Sequence, residues 1–414
     1  MKKILLILAC ALIVGSCGAV DDKYYERPQE ETEPPVDPPV DPIPDDPAYW
    51  EAAAEIVSER AISSFWRNST FGTTNRRNTF AASYTPPNTR DTGYQYWPQA
   101  HAMDVVIDAY LRTRDPKYLE YYDAWFAGVK VGNGNSYKNQ YVDDMEWIVL
   151  TMLRMYETTE KEEYFTTAKQ IYDDWIWTEW SEIYPSNGGI LWNTAQGSKD
   201  ACSNGPGGVI ACKLATLVDD PDEKAEYTEQ ARKIYEWLKS VLIKPNYGVM
   251  NSITAGGSLN ESVLTYNQGT VLGTAHGLYM LTRDDYYMDE AIKLAEHVTI
   301  QGGCCQGGDR AFILRNEGDP KGDLGLFKGI FVRYFVRFIN DTDVPLAKRK
   351  QFYGFLARNA NTLWTEGFHE EGNYRHFANG AWWEPIPETG SVGLQGVVSG
   401  ATLLEGMAAV NPVP

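Results

Sequence analysis

Apolar positions recur with helical spacing along most of the chain. In the clearest case Met145, Ile148, Val149, Met152, Leu153 and Tyr156 fall at i, i+3, i+4, i+7, i+8 and i+11, one face of a helix. The same spacing predicts helices over 48–67, 96–114, 117–130, 143–158, 161–179, 203–218, 222–243, 263–282, 285–300, 325–340, 344–364 and 390–411. No comparable run alternates with period two, so few strands are expected.

Four segments share one pattern: a helix end, a short polar turn, then a new helix with an acidic first turn and a tyrosine (Tyr118, Tyr164, Tyr227 and Tyr286). Acids at a helix start complement the positive end of its dipole. A repeating helix–turn–helix unit predicts a stacked array. Twelve helices in six hairpins give an all-α fold, an (α/α)6 barrel of alternating inner and outer helices. Short turns follow the even-numbered helices. Longer loops rich in Gly, Asn and Trp precede them at 184–203, 245–262, 301–324 and 366–390. The even helices therefore all start at one mouth, and long loops of that kind carry function.

The N-terminal residues stand outside this pattern. Lys2 and Lys3, an apolar run over 4–14, and Gly15-Ser16-Cys17 read as a cleaved export signal over 1–17, with Cys17 as the lipidated residue of a lipobox-like site. Segment 18–47 is an acidic, proline-rich linker, with eight prolines and seven acids between Pro28 and Pro47, and is too polar to bury a core. Asp21-Asp22-Lys23 resembles an export tag of surface lipoproteins. The expected location is the outer membrane, exposed on the cell surface, with the periplasmic face as the alternative. The remainder, 48–414, reads as one catalytic domain, expected to be monomeric and to meet the membrane through its lipid anchor only.

Composition narrows the ligand. A net charge of −19 disfavours nucleic acid and other polyanions. Aromatics make up 13% of the chain, with 13 Trp and 26 Tyr, and suit stacking on a neutral glycan. Cys202, Cys212, Cys304 and Cys305 have no zinc-type spacing and there are five histidines, so neither a metal site nor a cofactor is expected.

The predicted mouth collects Trp97 and Gln99, Asp143 and Asp144, Ser203 and Asn204, Tyr266, Asn267 and Gln268, and Lys328. Adjacent loops add Trp192, Asn193, Lys199, Trp382 and Trp383. Adjacent aspartates occur six times, but only Asp143-Asp144 opens an inner helix at the mouth, flanked by Tyr141 and Trp147. Asp173-Asp174 sits on an outer helix and reads as a solvated face. Asp219-Asp220 and Asp284-Asp285 fall in turns, where acids cap helices. Glycoside hydrolysis commonly needs two carboxyl groups, one protonated and one ionised, and mutual repulsion separates the pKa values of neighbours.

Asn139-Gln-Tyr-Val-Asp-Asp-Met-Glu-Trp147 resembles the catalytic segment of glycoside hydrolase family 76, the α-1,6-mannanases. Further resemblance lies in Tyr96-Trp-Pro-Gln-Ala-His-Ala102, Gly188-Gly-Ile-Leu-Trp-Asn193, Lys199-Asp-Ala-Cys-Ser-Asn204, Thr265-Tyr-Asn-Gln-Gly269 and Phe327-Lys-Gly-Ile-Phe331. Pro98 stands where the pattern leads one to expect a second aromatic. The resemblance implies an (α/α)6 fold, a nucleophile at Asp143, an acid/base at Asp144, retention of configuration and no metal. It also implies endo-acting cleavage of an α-mannan or mannooligosaccharide substrate. Three alternatives stand beside this reading: a non-catalytic surface glycan-binding lipoprotein, an unsaturated-uronyl hydrolase on the same barrel, and a sugar epimerase. The uronyl substrate is anionic and fits an acidic chain poorly. The epimerase needs histidines at the mouth, where only His101 is near.

Overall fold

The computed structural model describes residues 44, 46–183, 186–195, 197–300, 303–380, 382 and 384–413. The signal 1–17 with Cys17, all of the linker but Pro44, Asp46 and Pro47, and Trp383 lie outside the described residues. Among them are twelve α-helices: α1 (Pro47–Phe65), α2 (Trp97–Thr113), α3 (Glu120–Gly132), α4 (Val142–Thr159), α5 (Glu162–Ile171), α6 (Ala201–Leu217), α7 (Pro221–Val241), α8 (Thr265–Thr282), α9 (Asp285–Thr299), α10 (Phe327–Asn340), α11 (Leu346–Glu366) and α12 (Leu394–Ala409). Several predicted helices are shorter than expected, among them α12, which runs only over Leu394–Ala409. Pro116–Leu119 forms a 3-10 turn before α3, and α5 passes into a π turn at Tyr172–Ile176 and a 3-10 turn at Trp177–Glu179.

The even helices close a ring: α2 packs on α4, α4 on α6, α6 on α8, α8 on α10, α10 on α12, and α12 back on α2. The odd helices pack outside them, which makes the fold the expected all-α (α/α)6 barrel. Inner helices are buried nearly all round, as a helix enclosed by neighbours must be. Their glycines permit the close approach. A Cβ on Gly205 would lie 2.2 Å from Thr270 Oγ1, and one on Gly329 2.8 Å from Ser399 Cα.

The repeated tyrosines tie the outer layer together. The Tyr164 hydroxyl donates to Asp123, and that of Tyr227 donates to Asp173 at 2.8 Å. Asp173 also pairs with Lys169 at 2.9 Å, so this acid is a cross-link rather than a merely solvated group. In the fourth unit the register shifts by one residue: Tyr286 is 48% exposed and Tyr287 is 6% exposed. On the turn face, Asp220 and Asp284 cap their helices as expected, and Asp115 caps the 3-10 turn before α3.

Arg154 and Arg333 pair with Asp104 and Asp108, joining α2, α4 and α10 near the C-terminal end of the ring. These residues line a cavity of about 360 Å³ whose charges largely neutralise one another. At the other end the long loops form small antiparallel sheets. In one of them, strand Lys199–Asp200 pairs with Met250–Ile253, which pairs in turn with Leu259–Val263.

Candidate active site

The starts of five inner helices converge on one cavity of about 510 Å³. Trp97 comes from α2, Asp143, Asp144 and Trp147 from α4, Cys202 from α6, Tyr266 from α8 and Phe327 from α10; the short strands add Asp200 and Asn251, and irregular segments add Tyr141, Trp192 and Asp323. Tyr266 stacks on Phe327 with centroids 3.8 Å apart, and Tyr141 tilts against Trp192 at 5.1 Å. Trp97 and Trp147 lie 6.5 Å apart, with the Trp97 indole donating to Asp323 at 3.2 Å. His101 sits beneath Trp147 at 4.9 Å and faces the lower cavity. Burial pushes its pKa down to about 3, which keeps it neutral.

The two aspartates differ in their neighbours. Burial pushes Asp143 up to about 7, opposed by donors from Cys202, Trp192 and the Asp144 backbone N–H, which lies 3.0 Å from Asp143 Oδ1. Tyr266 in turn bonds to Cys202, so a hydroxyl and a thiol act in series behind Asp143. Burial raises Asp144 well above the usual carboxylate range, and the charges of Asp143 and Asp323 raise it further. With donors gathered on Asp143 and negative charge gathered around Asp144, the shared proton belongs on Asp144. One turn on, fully buried Glu146 has no partner for either oxygen and is held neutral by burial.

Of the residues expected at the mouth, Trp97, Asp143, Asp144, Trp192 and Tyr266 line the cavity. The others hold its walls. Gln99 bonds Phe80 N–H and C=O, and Gln268 bonds Val249 N–H and Tyr247 C=O. Asn193 Oδ1 accepts from Ala195 N–H. Asn204 clamps both backbone groups of Ile190. Lys199 donates to the carbonyls of Ser181, Ile183 and Gly188. Asn267 donates to Asn251 Oδ1 at 3.0 Å and so orients a residue that does line the cavity. Ser203 is fully buried. Lys328 is buried over Trp382 at 4.6 Å, and that burial pushes its pKa down to about 7. Asp200, Cys202, Asn251, Asp323 and Phe327 line the cavity too, although the sequence does not point to them as binding residues. The first two lie inside the Lys199–Asn204 segment, whereas Asn251 and Asp323 carry no periodic signal. Among the described residues, no group of three or more His, Cys, Asp or Glu could hold a metal ion.

A model of glycosyl hydrolase family 76 matches residues 49–409. The chain belongs to this family. Among solved structures of family 76, an inactive variant of the α-1,6-mannanase GH76A of Salegentibacter sp. HEL1_6, with two consecutive aspartates replaced by asparagine and in complex with α-1,6-mannotriose, is 35% identical. That similarity covers 87% of this chain and 99% of the other, with a TM-score of 0.77. The Lin0763 protein of Listeria innocua is 27% identical over 87% of this chain and 97% of its own, with a TM-score of 0.74. A curated relative, the meiotically up-regulated gene 191 protein of Schizosaccharomyces pombe, is 28% identical over 152 residues, 34% of this chain and 34% of that protein. The chain thus matches about a third of that relative's length.

Proposed function

We propose that this family 76 protein hydrolyses α-1,6-mannosidic bonds within mannan chains, retaining anomeric configuration. The observation that carries the reading is the consecutive pair Asp143-Asp144 in an aromatic-lined cavity, with hydrogen-bond donors on Asp143 that Asp144 lacks. A similar protein, inactive when two consecutive aspartates are replaced, is seen with α-1,6-mannotriose, which supports the same assignment.

In this reading Asp143 attacks C1 of the mannosyl ring while Asp144 gives its proton to the departing glycosidic oxygen. The C1–O bond breaks, a C1–Oδ ester forms, and the shortened chain leaves as an alcohol. Asp144, now ionised, takes a proton from water as the water oxygen attacks C1, which releases Asp143 and restores the proton on Asp144. Trp97, Trp147, Trp192 and Tyr266 supply stacking faces for neighbouring rings.

The protein acts, in the same proposal, at the cell surface, anchored through lipidated Cys17. Digestion of debranched α-1,6-mannan tests both parts. A spread of oligosaccharides should appear early, from washed membranes of cells making the wild-type protein and from the soluble fraction for Cys17→Ala. Mannose alone from the first minutes would exclude internal cleavage, and membrane-bound Cys17→Ala would exclude the anchor.

A further inference from the structure

Asp200 does not do what its position favours. It is the N-cap residue of α6, with φ −110° and ψ 149°, and aspartate is among the best capping residues, yet its side chain makes no capping bond. The residue is only 9% exposed, and its Oδ1 has no hydrogen-bond partner in the protein. Its side chain instead lines the cavity that holds Asp143 and Asp144. Ser198 donates to this carboxyl, but the oxygen left unpaired is costly to bury unless a ligand supplies a donor.

Asn251 lines the same cavity from the neighbouring strand, where Ser252, next to it, pairs with Asp200. Its Oδ1 is occupied by Asn267 Nδ2, which leaves its own Nδ2 hydrogens for the cavity. A carboxylate acceptor and an amide donor lining one cavity are the complement of a sugar hydroxyl, which both donates and accepts.

Asp200 is close enough to Asp143 for their charges to repel. If Asp143 attacks C1, the ring hydroxyl nearest to it is the one on C2. In mannose that hydroxyl is axial, the feature that separates it from glucose. Hydrogen bonds to this hydroxyl strengthen as charge develops at C1. Resting on the mannanase reading above, we infer that Asp200, with Asn251 in the same cavity, receives the C2 hydroxyl of the mannosyl ring being cleaved and is a specificity-determining residue.

The test compares an activated aryl α-1,6-mannobioside with its counterpart lacking the C2 hydroxyl on the ring that bears the aryl group, using the full chain. Differences in intrinsic reactivity cancel when the kcat/KM ratio of the two substrates is compared between wild type and Asp200→Ala. The preference of the wild type for the hydroxylated substrate should shrink by about 100-fold in Asp200→Ala, because a site built to bond a hydroxyl rejects its absence strongly. Asp200→Asn should fall between them. Because Asp200 keeps only the bond from Ser198 and its Oδ1 is unpaired, Asp200→Ala should lower Tm by no more than about 4 °C, the worth of one hydrogen bond. An unchanged substrate ratio, or a lowered Tm with that ratio intact, would mean a structural residue and overturn the inference. If the wild type cleaved neither substrate, the mannanase reading itself would fall and take this inference with it.

Discussion

Asp143 and Asp144 start from the same intrinsic acidity and are both half-buried in the same cavity, so their neighbours make them differ. Donors from Cys202, Trp192 and the backbone collect on Asp143, while Asp144 faces Asp143 and Asp323. A carboxyl whose folded pKa lies above its ordinary value of 3.8 keeps a proton that the unfolded chain gives up. The native state therefore binds more protons above about pH 4, and stability falls as pH rises toward the folded pKa. Asp144→Asn removes that cost. Its Tm should exceed that of the wild type by at least about 3 °C at pH 7, with the gap closing toward pH 4. A gap independent of pH, or a less stable variant at pH 7, would show that Asp144 is not held protonated in the fold.

At the scale of elements, the long loops keep their shape through buried side chains. Lys199, 1% exposed, gathers three carbonyls of the 181–188 loop, and Asn204 fixes Ile190 of the next segment. Lys199→Met would fill similar space and leave those carbonyls without their donor, at a cost of about 2–4 kcal/mol. If Lys199 only holds the loop, chemical denaturation should show that loss while KM of the folded fraction on mannan changes less than about threefold. A large rise in KM with unchanged stability would instead place Lys199 on the substrate. This division was hard to read in the sequence because an amide or ammonium bonds a backbone carbonyl and a sugar hydroxyl with the same chemistry. The inner helices were legible through apolar spacing, and Asp143-Asp144 with them, since the pair opens such a helix. Asp200 and Asn251 reach one cavity only through strand pairing, Asp200 opposite Ser252, across some fifty residues, and Asp323 arrives on an irregular loop, so neither left a periodic trace. The exposed Tyr286 beside buried Tyr287 shows that a repeat can be right in spacing and wrong by one residue in register.

For the whole molecule, the closed ring decides where chemistry can occur. Six inner helices packed in a circle through glycines and buried faces leave the two ends open to side chains, and the charges of the lower end largely neutralise one another. The upper end gathers five helix starts, and at each the positive dipole end favours anionic groups nearby. The net charge of −19 fits a neutral polymer better than an anionic one. The division of labour between the two aspartates can be read from products formed with azide on a substrate with a good leaving group. Asp144→Ala no longer needs to protonate that leaving group, so the glycosyl-enzyme should form on Asp143 and azide should release it as a glycosyl azide of retained configuration. Asp143→Ala cannot form the intermediate, so azide should attack directly and give the inverted product. Retained azide product from Asp143→Ala, or more than a few per cent of wild-type turnover on mannan in Asp143→Asn, would contradict the assignment.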